Sequence, residues 1–190
     1  MLFPAKTPRR REKLNNLCAF APKGHKHLLR AKLFLLLFVV AAVVALDQWT
    51  KMVAFQQLSP VYPKPVIDGF FSLTLVMNSG VAFGVFSGIE SSLKAYFLLG
   101  FSGITVGLVI FYYLFEKNLL ILTRLGLALV VGGAFGNMID RWRYEKVVDF
   151  LDFYWKNYHW PAFNIADCAI SIGVTLLLID VLLSIRRGNR

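Results

Sequence analysis

Charge is scarce in this chain. Only 17% of its 190 residues are Asp, Glu, Lys or Arg, while 57% are hydrophobic. That balance argues against an ordinary soluble domain, which carries more charge and fewer apolar residues. Cysteine is nearly absent. Cys18 and Cys168 are the only two, too few for a disulfide framework. Histidine is limited to His25, His27 and His159, and the first two lie in a basic stretch. There is no HExxH, no Walker-type phosphate loop, no paired CxxC and no GxSxG. Zinc-protease, P-loop and serine-hydrolase chemistry therefore have no motif here. His159 is the one histidine that could serve Cys168, and no spacing supports that pair, so Cys168 reads as a packed side chain. The expectation is that the chain needs no metal and no cofactor.

Acidic residues are also few. They number 11 against 21 basic ones, a formal net charge of +10. Nine of the basic residues fall in residues 1–32, opposed only by Glu12, and Arg186, Arg187 and Arg190 close the chain. A basic surplus can mark a nucleic-acid binder. Flanking apolar runs, it marks the cytoplasmic side of a membrane instead, and no nucleic-acid partner is expected.

What the chain has in abundance is long uncharged runs. Ala95 to Phe115 is 21 residues without a charge, enough to cross a hydrocarbon core at 1.5 Å per residue. Four spans are predicted, at about residues 33–52, 95–115, 121–139 and 163–183. They divide the chain into a basic cytoplasmic arm, 1–32, a membrane domain, 33–185, and a basic tail, 186–190. Leu33 to Leu46 has the flanks of a signal peptide, but no small-residue cleavage site follows, so the first span is read as retained. Residues 56–92 carry Pro60, Pro63 and Pro65, then aromatic and β-branched residues from Ile67 to Met77, a pattern suited to short strands. The predicted fold is an integral membrane protein, mainly α, with four transmembrane helices and a small strand-containing extracytoplasmic segment. An even number of spans places both termini on one side. Counting Lys and Arg gives 14 on the terminal side against 7 on the other, which makes the termini cytoplasmic. Cys18 and Cys168 then lie on opposite sides and form no bond.

This topology gathers scattered polar residues at the outer boundary: Asp47, Asn137, Asp140, Arg141, Asp149, Asn164 and Asp167. Asn164 and Asp167 are three apart and share a helical face, as do Asn137 and Asp140. Gly132, Gly133 and Gly136 let a neighbouring helix approach. Such a cluster could simply hold helices together. It could also do chemistry. Two close carboxylates do not both ionise easily; one draws a proton from water while the other, protonated, supports the oxyanion or the leaving amine. Spacing alone leaves open which two act among Asp47, Asp140, Asp149, Asp152 and Asp167. Asp152, in FLDFYW, reads as part of a surface-edge segment. Asp68 and Asp180 read as solvated or helix-end charges.

The segments LDQWTK at 46–51, NSGVAFG at 78–84, GNMIDR at 136–141, VVDF at 147–150 and FNIAD at 163–167 occur in an order that resembles the bacterial lipoprotein signal peptidase family, also called type II or prolipoprotein signal peptidases. The resemblance implies an aspartic endopeptidase of the cytoplasmic membrane, multi-pass, with its site near the outer face. It would remove the signal peptide from diacylglyceryl-modified prolipoproteins just before the lipidated cysteine. It implies Asp149 and Asp167 as the catalytic pair, and Asn78, Asn137, Asp140, Arg141 and Asn164 as the supporting or substrate-binding shell. Asp47 and Lys51 become structural. Prolipoproteins, membrane lipids and globomycin-like cyclic peptides become the expected partners, and a monomer suffices.

The chain departs from the family pattern at three places. Glu145 stands where a glycine usually precedes VVDF, which is costly if the backbone there has positive φ. Val81 replaces a smaller residue, and the N-terminal arm is long, with a charge suited to anionic lipid. Two other classes compete: a small ion-coupled transporter using buried aspartates, and a non-enzymatic assembly protein. Carboxylates collected at one surface fit a transport path poorly, and an assembly role would tolerate Asp149→Asn.

Overall fold

A computed structural model describes residues 23–80, 91–116 and 118–188. Cys18, Val81 and the first part of the basic arm lie outside the described residues. The elements run α1 (Lys23–Gln57), β1 (Lys64–Ile67), β2 (Phe71–Asn78), α2 (Ser91–Phe115), α3 (Ile121–Tyr144), β3 (Val147–Trp155), β4 (Tyr158–His159) and α4 (Ile165–Gly188). Each of the four helices contains a segment long and apolar enough to cross a membrane. The architecture is a four-helix membrane bundle with a small sheet at one end.

The helices exceed the predicted spans where polar residues can still be satisfied. α1 already includes Lys23 to Lys32. Lys32 is buried and donates to the Glu116 carbonyl, while the Tyr113 hydroxyl donates to the Lys32 carbonyl 2.9 Å away. α3 continues past residue 139 to Tyr144, so Asp140 and Arg141 lie within its last turns. α4 starts at Ile165 because Phe163 is still extended, bridged to Leu151. Asp180 is half-buried and accepts from Thr123 Oγ1, so it is no solvated charge; Asp68 is exposed.

α3 is the central helix and contacts α1, α2 and α4. Its glycines explain how α1 and α4 come so near. A methyl on Gly126 would sit 2.8 Å from the Gly173 carbonyl oxygen, and one on Gly173 would sit 2.6 Å from that of Gly126. A methyl on Gly136 would lie 2.6 Å from Asp47 Oδ2, so bare backbone lets α1 bring that carboxylate against α3. At the other end of the bundle Leu36, Tyr113, Leu119, Leu127 and Ala128 form the apolar core.

The sheet is antiparallel, in the order β1-β2-β3-β4. β1 and β2 arise from the strand-prone segment. Their partner is β3, from VVDFLDFYW, which is an inner strand and not a surface edge. Register pairs Val76 with Asp149, Asn78 with Val147 and Ser72 with Asp152. Val147 to Phe150 are all buried, and β3 packs against α1 and α3.

Between α3 and β3 the chain reverses at Glu145, which has φ 56° and sends its N–H back to the Arg141 carbonyl. This is the left-handed helix end that favours glycine. The glutamate is used: its Oε2 accepts from Ser92 Oγ at 2.7 Å, tying the start of α2 to the corner.

Candidate active site

The sheet end of the bundle holds a cleft of about 580 Å³, larger than a neighbouring one of about 410 Å³. Asn78, Asn137, Arg141, Asp149 and Asp167 line this larger cleft, with an apolar wall of Leu98, Phe101 and the segment from Trp160 to Phe163. Four separate elements therefore supply its polar groups.

The start of α4 organises them. Asn164 precedes the first helical residue, and its Oδ1 accepts from the Asp167 N–H at 3.0 Å. Asp167 Oδ2 accepts in return from the Asn164 N–H at 3.3 Å. This reciprocal cap satisfies two of the helix's orphan donors. A third, the Ala166 N–H, goes to Asp47 Oδ1 of α1 at 2.9 Å. Asn164 keeps its amide free for other work: Nδ2 lies 2.7 Å from Asp149 Oδ1, 3.2 Å from Asn137 Oδ1 and 3.3 Å from the Val148 carbonyl. One buried asparagine thus touches both aspartates.

Asp149 is held from its other side by Asn78 Nδ2, 2.9 Å from Oδ2, a diagonal contact across β2 and β3. Asn78 is fixed in turn by the Gly80 N–H, 2.9 Å from its Oδ1. Asp167 Oδ1 accepts from Asn137 Nδ2 at 2.8 Å. Burial raises the Asp149 carboxyl to about 6, aided by the negative charge of Asp167 and opposed by the Asn78 and Asn164 amides.

Behind the pair lies a second polar layer. Lys51 Nζ is 2.8 Å from Asp47 Oδ2, 2.8 Å from Asp140 Oδ2 and 3.0 Å from Asn137 Oδ1. Asp140 Oδ2 also accepts the Val148 N–H at 3.1 Å, one residue before Asp149. Asp140 therefore braces β3 from behind and does not line the cleft, whereas its neighbour Arg141 does. Gln48, which drew no notice within LDQWTK, donates to Asp140 Oδ1 at 2.9 Å and to Asp47 Oδ2 at 3.2 Å. Its helical spacing from Lys51 was the available signal.

Cys168 is half-buried and has no disulfide partner among the described residues. His159 lies beside Asp152, away from Cys168's helix, with Nδ1 3.0 Å from both carboxylate oxygens. Among the described residues no group of three or more His, Cys, Asp and Glu side chains is arranged to hold a metal.

Residues 39–183 match the family model described as signal peptidase (SPase) II. A protein named lipoprotein signal peptidase from Syntrophus aciditrophicus (strain SB) is 43% identical over 150 residues, covering 78% of this chain and 93% of its own length. One of the same name from Cupriavidus necator is 46% identical, covering 76% and 81%. A solved structure titled as a bacterial membrane enzyme, determined in meso at 2.3 Å, superposes with a TM-score of 0.68 at 31% identity, over 77% of this chain and 87% of that one.

Proposed function

The chain belongs to the signal peptidase II family, and from that premise we propose that Asp149 and Asp167 form the catalytic pair of a peptidase that cuts diacylglyceryl-modified prolipoproteins just before the lipidated cysteine. Family membership makes it an aspartic-type membrane hydrolase. The observation that carries the proposal is the shared hold on the two acids: Asn164 hydrogen-bonds to both, and both line one cleft.

In the free enzyme the pair holds one proton. A water between the carboxylates gives a proton to the ionised member as its oxygen attacks the scissile carbonyl carbon. The protonated member donates to the carbonyl oxygen, then a proton passes to the leaving nitrogen as the C–N bond breaks. The products are a signal peptide ending in a carboxylate and a lipoprotein with a free α-amino group on its lipidated cysteine. Arg141 lies within electrostatic reach of Asp149 and Asp167 and faces the cleft, where it is suited to hold a substrate carbonyl. The apolar wall accommodates lipid and signal-peptide side chains. A site at the membrane boundary reaches the bond without extracting the diacylglycerol. We place it at the outer face of the bacterial inner membrane, with both termini cytoplasmic.

The test uses purified wild type, Asp149→Asn and Asp167→Asn with a lipidated prolipoprotein peptide and its unlipidated counterpart. Wild type cleaves the lipidated peptide only, and each folded variant loses about 10³-fold or more. Retained cleavage in either variant removes that residue from the pair.

A further inference from the structure

Asp152 is a buried carboxylate that the chemistry above does not use. It is 6% exposed and sits three residues after Asp149, so the alternation of β3 turns it to the opposite face of the sheet. There Ser72 Oγ donates to its Oδ2 at 3.1 Å, from the residue directly opposite on β2. His159 Nδ1 lies 3.0 Å from each of its oxygens. Serine and histidine both bond the carboxylate, not each other, so this is no nucleophile relay.

Its position in the chain gives it a use. Beyond the hairpin tip, where Lys156 has φ 57°, the chain returns along β3. Tyr154 pairs with His159, the Trp160 N–H donates to the Phe153 carbonyl at 2.8 Å, and Phe163 exchanges bonds with Leu151 at 2.9 and 3.1 Å. The segment from Trp160 to Phe163 is one wall of the catalytic cleft, yet β4, which leads into it, is only two residues long and exposed. Pro161 has no N–H to add to the ladder. β4 thus adds two backbone-paired residues to the bonds that Trp160 and Phe163 make with β3. The side-chain bond from His159 to Asp152 reinforces this pairing, while the His159 ring lies on Tyr154, 5.1 Å between centroids.

We propose that Asp152 and His159 form a clip that positions the Trp160–Phe163 wall for substrate binding, making His159 a positioning residue that never touches the substrate. This deepens the peptidase reading and rests on it. The clip fixes the wall that receives the apolar part of the substrate, while the pair on the other face of β3 is left in place. Its loss therefore raises KM and spares kcat.

Two substitutions separate the bond from the ring. His159→Phe keeps an aromatic ring for Tyr154 and loses the donor. His159→Asn keeps an N–H donor and loses the ring. With full-length protein in detergent and a lipidated peptide, His159→Phe is expected to raise KM at least fivefold with kcat within twofold, and His159→Asn to stay within twofold of wild type in both. Binding of the same peptide to the Asp149→Asn protein, with and without His159→Phe, gives a readout independent of cleavage and should weaken by the same factor. An unchanged KM and unchanged binding in His159→Phe overturn the clip, as does an equal loss in His159→Asn. Absence of cleavage by wild type would count against the peptidase reading instead, and the binding arm would still judge the clip.

Discussion

Asn164 donates its side-chain amide to Asp149 across 2.7 Å while its own oxygen caps the helix whose first turn carries Asp167. The same residue starts a helix and fixes the geometry between two acids. These duties can be separated by mutation.

Serine is as good a helix cap as asparagine but has no amide to reach Asp149. Asn164→Ser should therefore fold, yet cleave at least tenfold more slowly. Asn164→Ala should show the same catalytic loss and about 1 kcal/mol less stability than the serine variant. Thermal unfolding in detergent beside peptide cleavage reads both. Full activity in the serine variant would mean that the amide bond to Asp149 contributes nothing to cleavage.

Burial raises Asp149 to about 6 from an unperturbed 3.8. Below that value Asp149 keeps its proton; above it Asp149 ionises and the acid is gone. The expected kcat/KM for the free enzyme falls as pH rises through about 6. Stability follows the same sign. The folded protein binds this proton more tightly than the unfolded chain, so the contribution is full below about 4 and lost as pH rises through about 6. A kcat/KM profile flat from pH 5 to 8 would contradict the assignment.

Lys51 answers two buried carboxylates at 2.8 Å each. Lys51→Met leaves both without their cation and should cost about 3–5 kcal/mol. Adding Asp47→Asn and Asp140→Asn should restore much of that loss, because the penalty comes from uncompensated charge. Unfolding curves of the single and triple variants decide it.

Glu145 adopts a conformation that costs a side-chain-bearing residue about 1 kcal/mol, and its bond to Ser92 offsets it. Glu145→Gly in wild type should change stability little. In a Ser92→Ala background, where the bond is already gone, the same change should stabilise by about 1 kcal/mol. Equal effects in both backgrounds would mean the bond contributes nothing.

The membrane bundle was legible because uncharged runs of span length have few other uses. The strand-prone segment before α2 was legible from its β-branched and aromatic residues. β3 was not. Val147 to Phe150 are buried on both faces, so the polar–apolar alternation that announces a half-exposed strand never appears, and Asp149 and Asp152 made the segment look like surface. That the nine residues named for the candidate site gather at one end of the bundle was legible through motif order and topology. Their division of labour was not, since spacing on α3 cannot tell that Asp140 turns toward Lys51 while Arg141 turns to the cleft. The pairing of Asp152 with His159 depends on a hairpin register that no sequence period encodes. Glu145 was readable only as a departure, and its positive φ gives that departure its physical meaning.

The bond from the Ala166 N–H to Asp47 joins residues 119 positions apart, the first helix to the last. Chains are made from the N-terminus and their parts assemble as they emerge. Until α4 arrives, Asp47 lacks the Ala166 N–H and Asp149 lies on a strand without Asn164 beside it. The polar cluster at the sheet end therefore closes only when α4 is in place.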